Sequence, residues 1–130
     1  MAVHMTFDEI RVCLEKDGWP LEVLSESTAR SRFRGEGRVF PVFVHCDGEF
    51  VTFAVIPYAS LPQELDEADE VMKELLRFNR AINLAKFSVD EDGDIVLSVE
   101  YRLADLDPSE VRDAIDVLSF YAEKYSHEVA

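Results

Sequence analysis

Val39-Phe40-Pro41-Val42-Phe43-Val44-His45-Cys46, then Asp47-Gly48, then Glu49-Phe50-Val51-Thr52-Phe53-Ala54-Val55-Ile56, is the stretch on which the fold turns. Two apolar runs flank an Asp-Gly pair. That is the strongest short-range signal of a β-hairpin, because both central residues of such a turn need positive φ. A turn at Asp47-Gly48 sets an expected register, with Cys46 opposite Glu49, Val44 opposite Val51, Val42 opposite Phe53 and Phe40 opposite Val55. The six apolar residues from Phe40 to Val55 then share one face, which must be core. The other face holds Val39, Pro41, Phe43, His45, Phe50, Thr52, Ala54 and Ile56. It is less apolar but hardly polar, whereas an antiparallel sheet with one wet face alternates more cleanly. In this register Pro41 lacks its donor toward the preceding strand, so a bulge or an end of pairing is expected there.

Upstream, Arg30, Arg32 and Arg34 alternate with Ser31 and Phe33 between Ala29 and Gly35. That is a strand with its arginines outward, and Gly35-Glu36-Gly37 turns the chain. Residues 21–26 are extended or turn-like without a clear period. Thr6-Phe7-Asp8-Glu9 reads as a capping box opening a helix, with Phe7, Ile10 and Leu14 on one face. Gly18 supplies its left-handed stop, and Trp19-Pro20 cannot continue it.

Downstream, Pro57 to Pro62 is a loop. A long helix runs from Leu65 to about Leu84, with Val71, Leu75, Phe78 and Ile82 as one stripe and Ala68, Met72 and Leu76 as the next. That arc is wide for a helix covering one sheet face. Asn79 falls inside it, as a buried amide bonded to backbone at the helix–strand junction, and Asn83 acts as a helix stop. Lys86–Asp90 and Asp94–Leu103 form a second hairpin around Asp92-Gly93, with Phe87, Val89, Ile95, Leu97, Val99 and Tyr101 on one face. Asp107-Pro108-Ser109-Glu110 then caps a last helix. Its core stripe includes Val111, Ile115 and Leu118, with Phe120 nearly opposite. The expected order is α-β-β-β-α-β-β-α: an α+β fold, a single antiparallel sheet with helices on one face, in one domain spanning 1–130.

The chain has 130 residues, 48% apolar and 31% charged, which suits one compact domain. Acids outnumber bases 27 to 13, for a net charge of −14. That excess argues against a nucleic-acid partner and against an anionic membrane surface. It suits solubility, or the steering of a basic partner. Residues 61–130 hold eighteen of the acids, while Arg30, Arg32, Arg34 and Arg38 cluster in the first half. No apolar run is long enough to span a bilayer, and Met1-Ala2-Val3-His4-Met5 lacks the features of a signal peptide. Cys13 and Cys46 form no framework and are expected to be reduced, in a cytoplasmic protein.

No catalytic, cofactor-binding or metal-ligating set assembles from the pattern. His4, His45 and His127 are scattered without ligand spacing. Asp90-Glu91-Asp92-Gly93-Asp94 begins like a calcium loop, but Ile95 stands where the loop glycine belongs and Tyr101 where the bidentate acid belongs. What stands out is surplus apolar surface, which on a soluble protein marks a partner. Its candidate residues are Phe43 and Phe50 on the hairpin's second face, Val71 and Phe78 on the long helix, and Phe120.

The element order, both Asp-Gly hairpins and the proline-capped last helix resemble the YbjN-like family, which is similar to the type III secretion chaperone fold. The strings that carry the likeness are Gly18-Trp19-Pro20, Arg32-Phe33-Arg34-Gly35-Glu36, Phe53-Ala54-Val55-Ile56-Pro57-Tyr58, and Phe78-Asn79-Arg80 through Val89-Asp90-Glu91-Asp92-Gly93-Asp94-Ile95. The resemblance implies no catalytic residues. Secretion chaperones are small, acidic, usually dimeric, and bind an extended client segment. The expectation is therefore a non-enzymatic protein-binding module, chaperone-like or regulatory, cytoplasmic, without cofactor, and homodimeric or bound to a client segment. The alternative is a small-molecule or metal-responsive regulator using Asn79 or the Asp90–Asp94 acids.

Overall fold

The computed structural model describes residues 5–129. The elements run α1 (Phe7–Lys16), β1 (Glu22–Val23), β2 (Thr28–Gly35), β3 (Arg38–Cys46), β4 (Phe50–Ser60), α2 (Leu65–Ala81), β5 (Ala85–Val89), β6 (Asp94–Arg102), α3 (Pro108–Lys124) and a single turn, α4 (Ser126–Val129). The strands form one antiparallel sheet in the order β1-β2-β3-β4-β6-β5. The fold is α+β as expected, with one strand more than the sequence suggested. β1 is two residues long, too short to carry a period, and it sits within the stretch that reads as featureless.

α1 opens with the capping box: the Thr6 hydroxyl accepts from Glu9 N–H at 3.1 Å, and the Glu9 carboxylate accepts from Thr6 N–H at 3.1 Å. It ends in a Schellman motif. Trp19 N–H reaches Leu14 O at 3.0 Å and Gly18 N–H reaches Glu15 O at 3.1 Å, with Gly18 at φ 97°. α3 starts on the expected Asp107 capping box with Pro108 in its first turn. α2 stops at Ala81, and the left-handed residue after it is Leu84 at φ 67° rather than Asn83. Asn83 instead donates its N–H to the Tyr121 hydroxyl at 3.0 Å.

The first hairpin corrects the expected register by two residues. Val42 pairs with Val55, Val44 with Phe53 and Cys46 with Val51. Asp47 N–H donates to Phe50 O at 3.0 Å, so the central turn residues are Gly48 and Glu49. The cause is the Asp47 carboxylate, which accepts from the N–H groups of Glu49 and Phe50 at 3.0 and 2.8 Å. Those bonds make Asp47 the residue before the turn, and only Gly48, at φ 102°, takes positive φ there. A slip of two leaves every side chain on its expected face. Phe40, Val42, Val44, Val51, Phe53 and Val55 are indeed all at most 1% exposed.

The slip also reverses the reading of Pro41. Ladder bonds alternate, and the Asp47–Phe50 bond aims the odd positions of β3 at β4. Pro41 therefore lacks its donor toward β4. Pairing with β2 continues through Pro41 opposite Arg32, while pairing with β4 ends at Val42–Val55. Beyond that point β4 bulges: Ile56, Pro57 and Tyr58 stand opposite Val96 alone. The bulge turns Tyr58 into the core, fully buried, where its hydroxyl donates to Ala122 O on α3 at 2.6 Å.

The core lies between the sheet and α1 and α3, with Ile10, Leu14, Val111, Ile115 and Leu118 at 0% exposure. α2 lies against β5 at one end of the sheet. Rings run in sequence from Phe33 through Phe40, Tyr58 and Phe87 to Tyr125, with centroids 5.2–5.8 Å apart. Gly35 lets this stack close, since a Cβ there would stand 2.5 Å from the Phe40 ring. The Arg38 guanidinium covers the same ring at 4.2 Å.

Candidate partner-binding surfaces

Among the described residues, no helix covers the face of the sheet away from α1 and α3. Phe43 and Phe50 on that face are half-buried, and neither joins the core cluster. Val39 is 48% exposed, Ile56 is half-buried, and Arg30, Arg32 and Arg34 are exposed along β2. Phe43 lies between Arg30 on β2 and Ala54 on β4, and Phe50 lies opposite Arg102 on β6. Ala54, Val96 and Ser98 are buried even here.

The five candidate residues do not form one patch. Phe43 and Phe50 belong to the uncovered face. Val71 and Phe78 pack against the core from α2, and Phe78 stacks on Tyr125 at 4.3 Å. Phe120, 60% exposed, projects from α3 beside Tyr121. With Leu84, Glu110, Asp113 and Asp116 it lines a cleft of about 480 Å³. Burial, followed by the neighbouring Asp17 and Asp113 carboxylates, pushes the Asp116 carboxyl above its ordinary pKa. The exposed large apolar side chains of α2 are Leu65 (79%), Met72 (36%) and Leu76 (69%), two of which lie within the helix's wide apolar arc.

Asn79 has the structural role expected of it. Its carbonyl accepts from Phe87 N–H at 2.7 Å and its amide donates to Phe87 O at 3.0 Å, as a neighbouring strand would. The apolar cleft of about 200 Å³ beside it, lined by Met72, Leu75, Leu76 and Val89 among others, therefore gains no free amide from Asn79.

The carboxylates of Asp90, Asp92 and Asp94 lie within 4.8 Å of one another. Much of their capacity is committed to the turn. One Asp90 oxygen accepts from both Asp92 N–H (3.0 Å) and Asp94 N–H (2.9 Å), and Asp94 accepts from the Ser60 hydroxyl at 3.4 Å. Gly93, at φ 79°, takes the left-handed place of a three-residue hairpin loop.

His45 shares a 2.7 Å hydrogen bond with the Thr28 hydroxyl, and His127 lies in α4; His4 lies outside the described residues. Both cysteines are free. Burial, then the adjacent Asp47 carboxylate, pushes the Cys46 thiol up to about 11, which keeps it protonated and unreactive. No described helix is long and apolar enough to cross a membrane.

The sequence did not reveal the edge of the sheet beside β1. β1 pairs only Glu22 with Arg30 and Val23 with Ala29, so among the described residues β2 is unpaired on that side from Ser31 to Gly35. A cleft of about 520 Å³ lies there, lined by Pro20, Leu21, Glu22, Arg30, Ser31, Arg32, Val39 and Pro41. The Glu22 carboxylate bridges to Arg30 at 2.6 Å. The buried Ser31 hydroxyl finds no hydrogen-bond partner among the described residues. The alternating arginines were the legible half of this arrangement; the two-residue β1 was the illegible half.

A six-stranded antiparallel sheet backed by helices on one face and open on the other defines a small α+β domain built around an accessible sheet. The family model described as "YbjN: Putative bacterial sensory transduction regulator" matches residues 6–130, and the chain belongs to that family. Its fold is similar to the crystal structure of YbjN from E. coli, described as "a putative transcription regulator". The TM-score is 0.69 at 12% identity, covering 98% of this chain and 96% of that one. It is also similar to a chain of the heterodimeric ExoU–SpcU complex from the type III secretion system of Pseudomonas aeruginosa. That TM-score is 0.61 at 19% identity, covering 87% of this chain and 91% of the other. No curated protein sequence matches this chain. The family, and a fold shared with a chain of that type III secretion complex, are those the resemblance implied.

Proposed function

We propose that this protein is a non-enzymatic, cytoplasmic protein-binding module, chaperone-like or regulatory. The observation that carries the reading is the uncovered sheet face. Half-buried Phe43, Phe50 and Ile56 stand in the open among polar neighbours, and no helix's core side chains join them. Apolar surface left in water by a folded domain stabilises association when a partner covers it. The likeness to one chain of a two-protein complex fits this reading.

The occupant of the face is a client segment or a second copy of the chain. Phe43 and Phe50 anchor it, Phe120 marks a separate contact, and Val71 and Phe78 contribute through the seating of α2. Two chains at −14 each repel, so a homodimer contact avoids the acids at 64–74 and 90–94, and added salt tightens it or leaves it unchanged. Sedimentation at micromolar concentration in low and high salt tests the dimer. Capture from native lysate with wild-type and Phe43→Ala bait tests the face. A monomer at both salts removes the dimer, and a client recovered equally by both baits removes the face.

A metal-responsive role has one observation in its favour, the convergence of Asp90, Asp92 and Asp94. Melting with and without millimolar Ca²⁺ tests it.

A further inference from the structure

We propose that the open edge of β2 receives an extended partner segment of alternating acidic and apolar residues, added as a strand in line with β1. This deepens the protein-binding reading and rests on it, naming a second place of contact and the chemistry that fits there.

The backbone supplies the template. Cys46 N–H donates to Ser27 O at 2.9 Å, so by alternation the odd residues of β2 bond to β3 and the even ones face outward. Thr28 O is taken by the N–H groups of Leu24 and Ser25, and Arg30 lies opposite Glu22. Arg32 and Arg34 remain, with outward N–H and C=O groups that find no backbone partner among the described residues. Pro20 ends β1 as a possible cover, because its ring removes the donor and the chain leaves toward α1. The 520 Å³ cleft opens where β1 stops.

The side chains select the occupant. Arg32 and Arg34 are exposed and form no ion pair among the described residues, in a chain of net charge −14. Like-charged edge strands ordinarily repel other sheets, and a strand carrying carboxylates reverses that repulsion. Guanidinium–carboxylate bonds are charge-assisted and directional. β1 itself shows the pattern. Glu22 pairs with Arg30 on the open face, while Leu21, on the alternate side, packs against the core. A segment reading acidic–apolar–acidic in the same register sets its acids against Arg32 and Arg34 and its apolar residues beside Leu21. It also brings polar backbone toward the unpartnered Ser31 hydroxyl in the cleft wall. Strand addition of this kind draws affinity from main-chain bonds and specificity from alternate side chains.

The test uses the full chain and a fluorescent six-residue peptide alternating Glu and Val, read by polarisation. The expected result is saturable binding that weakens with salt. It falls at least tenfold for a Gln/Val peptide, at least tenfold for the Arg32→Gln, Arg34→Gln double variant, and by a similar factor when the peptide amides that face β2 are N-methylated. The charge-matched control Arg77→Gln, Arg80→Gln on α2 leaves it unchanged. Equal binding by the N-methylated peptide, by the β2 double variant, or no binding at all overturns the proposal. The failures are separable. If the Glu/Val peptide does not bind but lysate capture still depends on Phe43, the edge is wrong and the protein-binding reading stands. If the peptide binds through Arg32 and Arg34 while capture does not depend on Phe43, the edge stands and the sheet face is wrong.

Discussion

The two faces of the sheet come from the same strands and differ in what covers them. On the helix side, Phe53 on β4 is at 0% exposure beneath the helices. Across the backbone, Phe43 opposes Ala54, is half-buried, and joins no core cluster among the described residues. The two phenylalanines have the same side chain and similar strand surroundings, so the difference between them isolates the contribution of the second layer. Burial by a packed layer makes a side chain part of the fold's stability, while burial by sheet neighbours alone leaves it available to a partner.

The sharpest way to break that contrast is truncation of each ring in the isolated monomer. Phe53→Ala is expected to cost about 3–5 kcal/mol in chemical denaturation, the range for a large buried side chain replaced by a cavity. Equal losses for Phe53→Ala and Phe43→Ala would show that both faces are covered within one chain. Gly35→Ala probes the covered side by overfilling. A Cβ 2.5 Å from Phe40 must displace a ring held between Phe33 and Tyr58, at about 1–3 kcal/mol.

Tyr58→Phe removes only the bond to Ala122 O, for a loss of about 1 kcal/mol. Burial, partly offset by Arg38, pushes the Tyr58 phenol up to about 12. The folded state thus holds this proton more tightly than the unfolded state does. The associated stability is complete below about pH 10, the ordinary tyrosine value, and is lost as pH rises to about 12. Alkaline unfolding of Tyr58→Phe should be correspondingly less steep across that window. Phe43→Ala should cost less than about 1 kcal/mol as a monomer, with its larger effect appearing in association. The smallest expected change belongs to the Asp90–Asp94 loop. Millimolar Ca²⁺ should leave the melting temperature within about a degree, whereas a rise of several degrees abolished by Asp92→Asn would establish a metal site.

Face was far easier to read than register. A period of two assigns each residue of β3, of β6 and of β4 as far as Ile56 to a side, and a slip of two cannot change that assignment. Register depends on which two residues occupy the turn, and there the Asp47 carboxylate outweighed the Asp-Gly preference. The partner of Pro41 was misjudged through the same slip. Tyr58 was read as loop because a bulge breaks the alternation that would have marked it. Asn79 was legible because an amide inside an apolar arc demands a backbone partner. β1 was not, since two residues form no pattern and their pairing is decided by where the Schellman turn aims the chain. Among the candidate surface residues, Phe120 could be placed off its helix's stripe from spacing alone. Val71 and Phe78 could not be separated from the exposed side of α2, because the contact between α2 and β5 sets which part of a wide arc is sealed.

The amide of Asn79 has a consequence for how the molecule behaves at high concentration. Fibrous growth by sheet extension requires two acceptor borders on each unit, so that every addition leaves a new site for the next. Here the centre of one border is already occupied from within, because Phe87 has both of its outward groups bonded to Asn79. Two copies meeting through the remaining border would bring arginine against arginine, and even a pair that formed would be closed to a third. The Asn79 amide thus leaves Phe87 no free main-chain group for a further strand, and Asn79→Leu, which frees those groups beside an apolar helix, is expected to favour assembly.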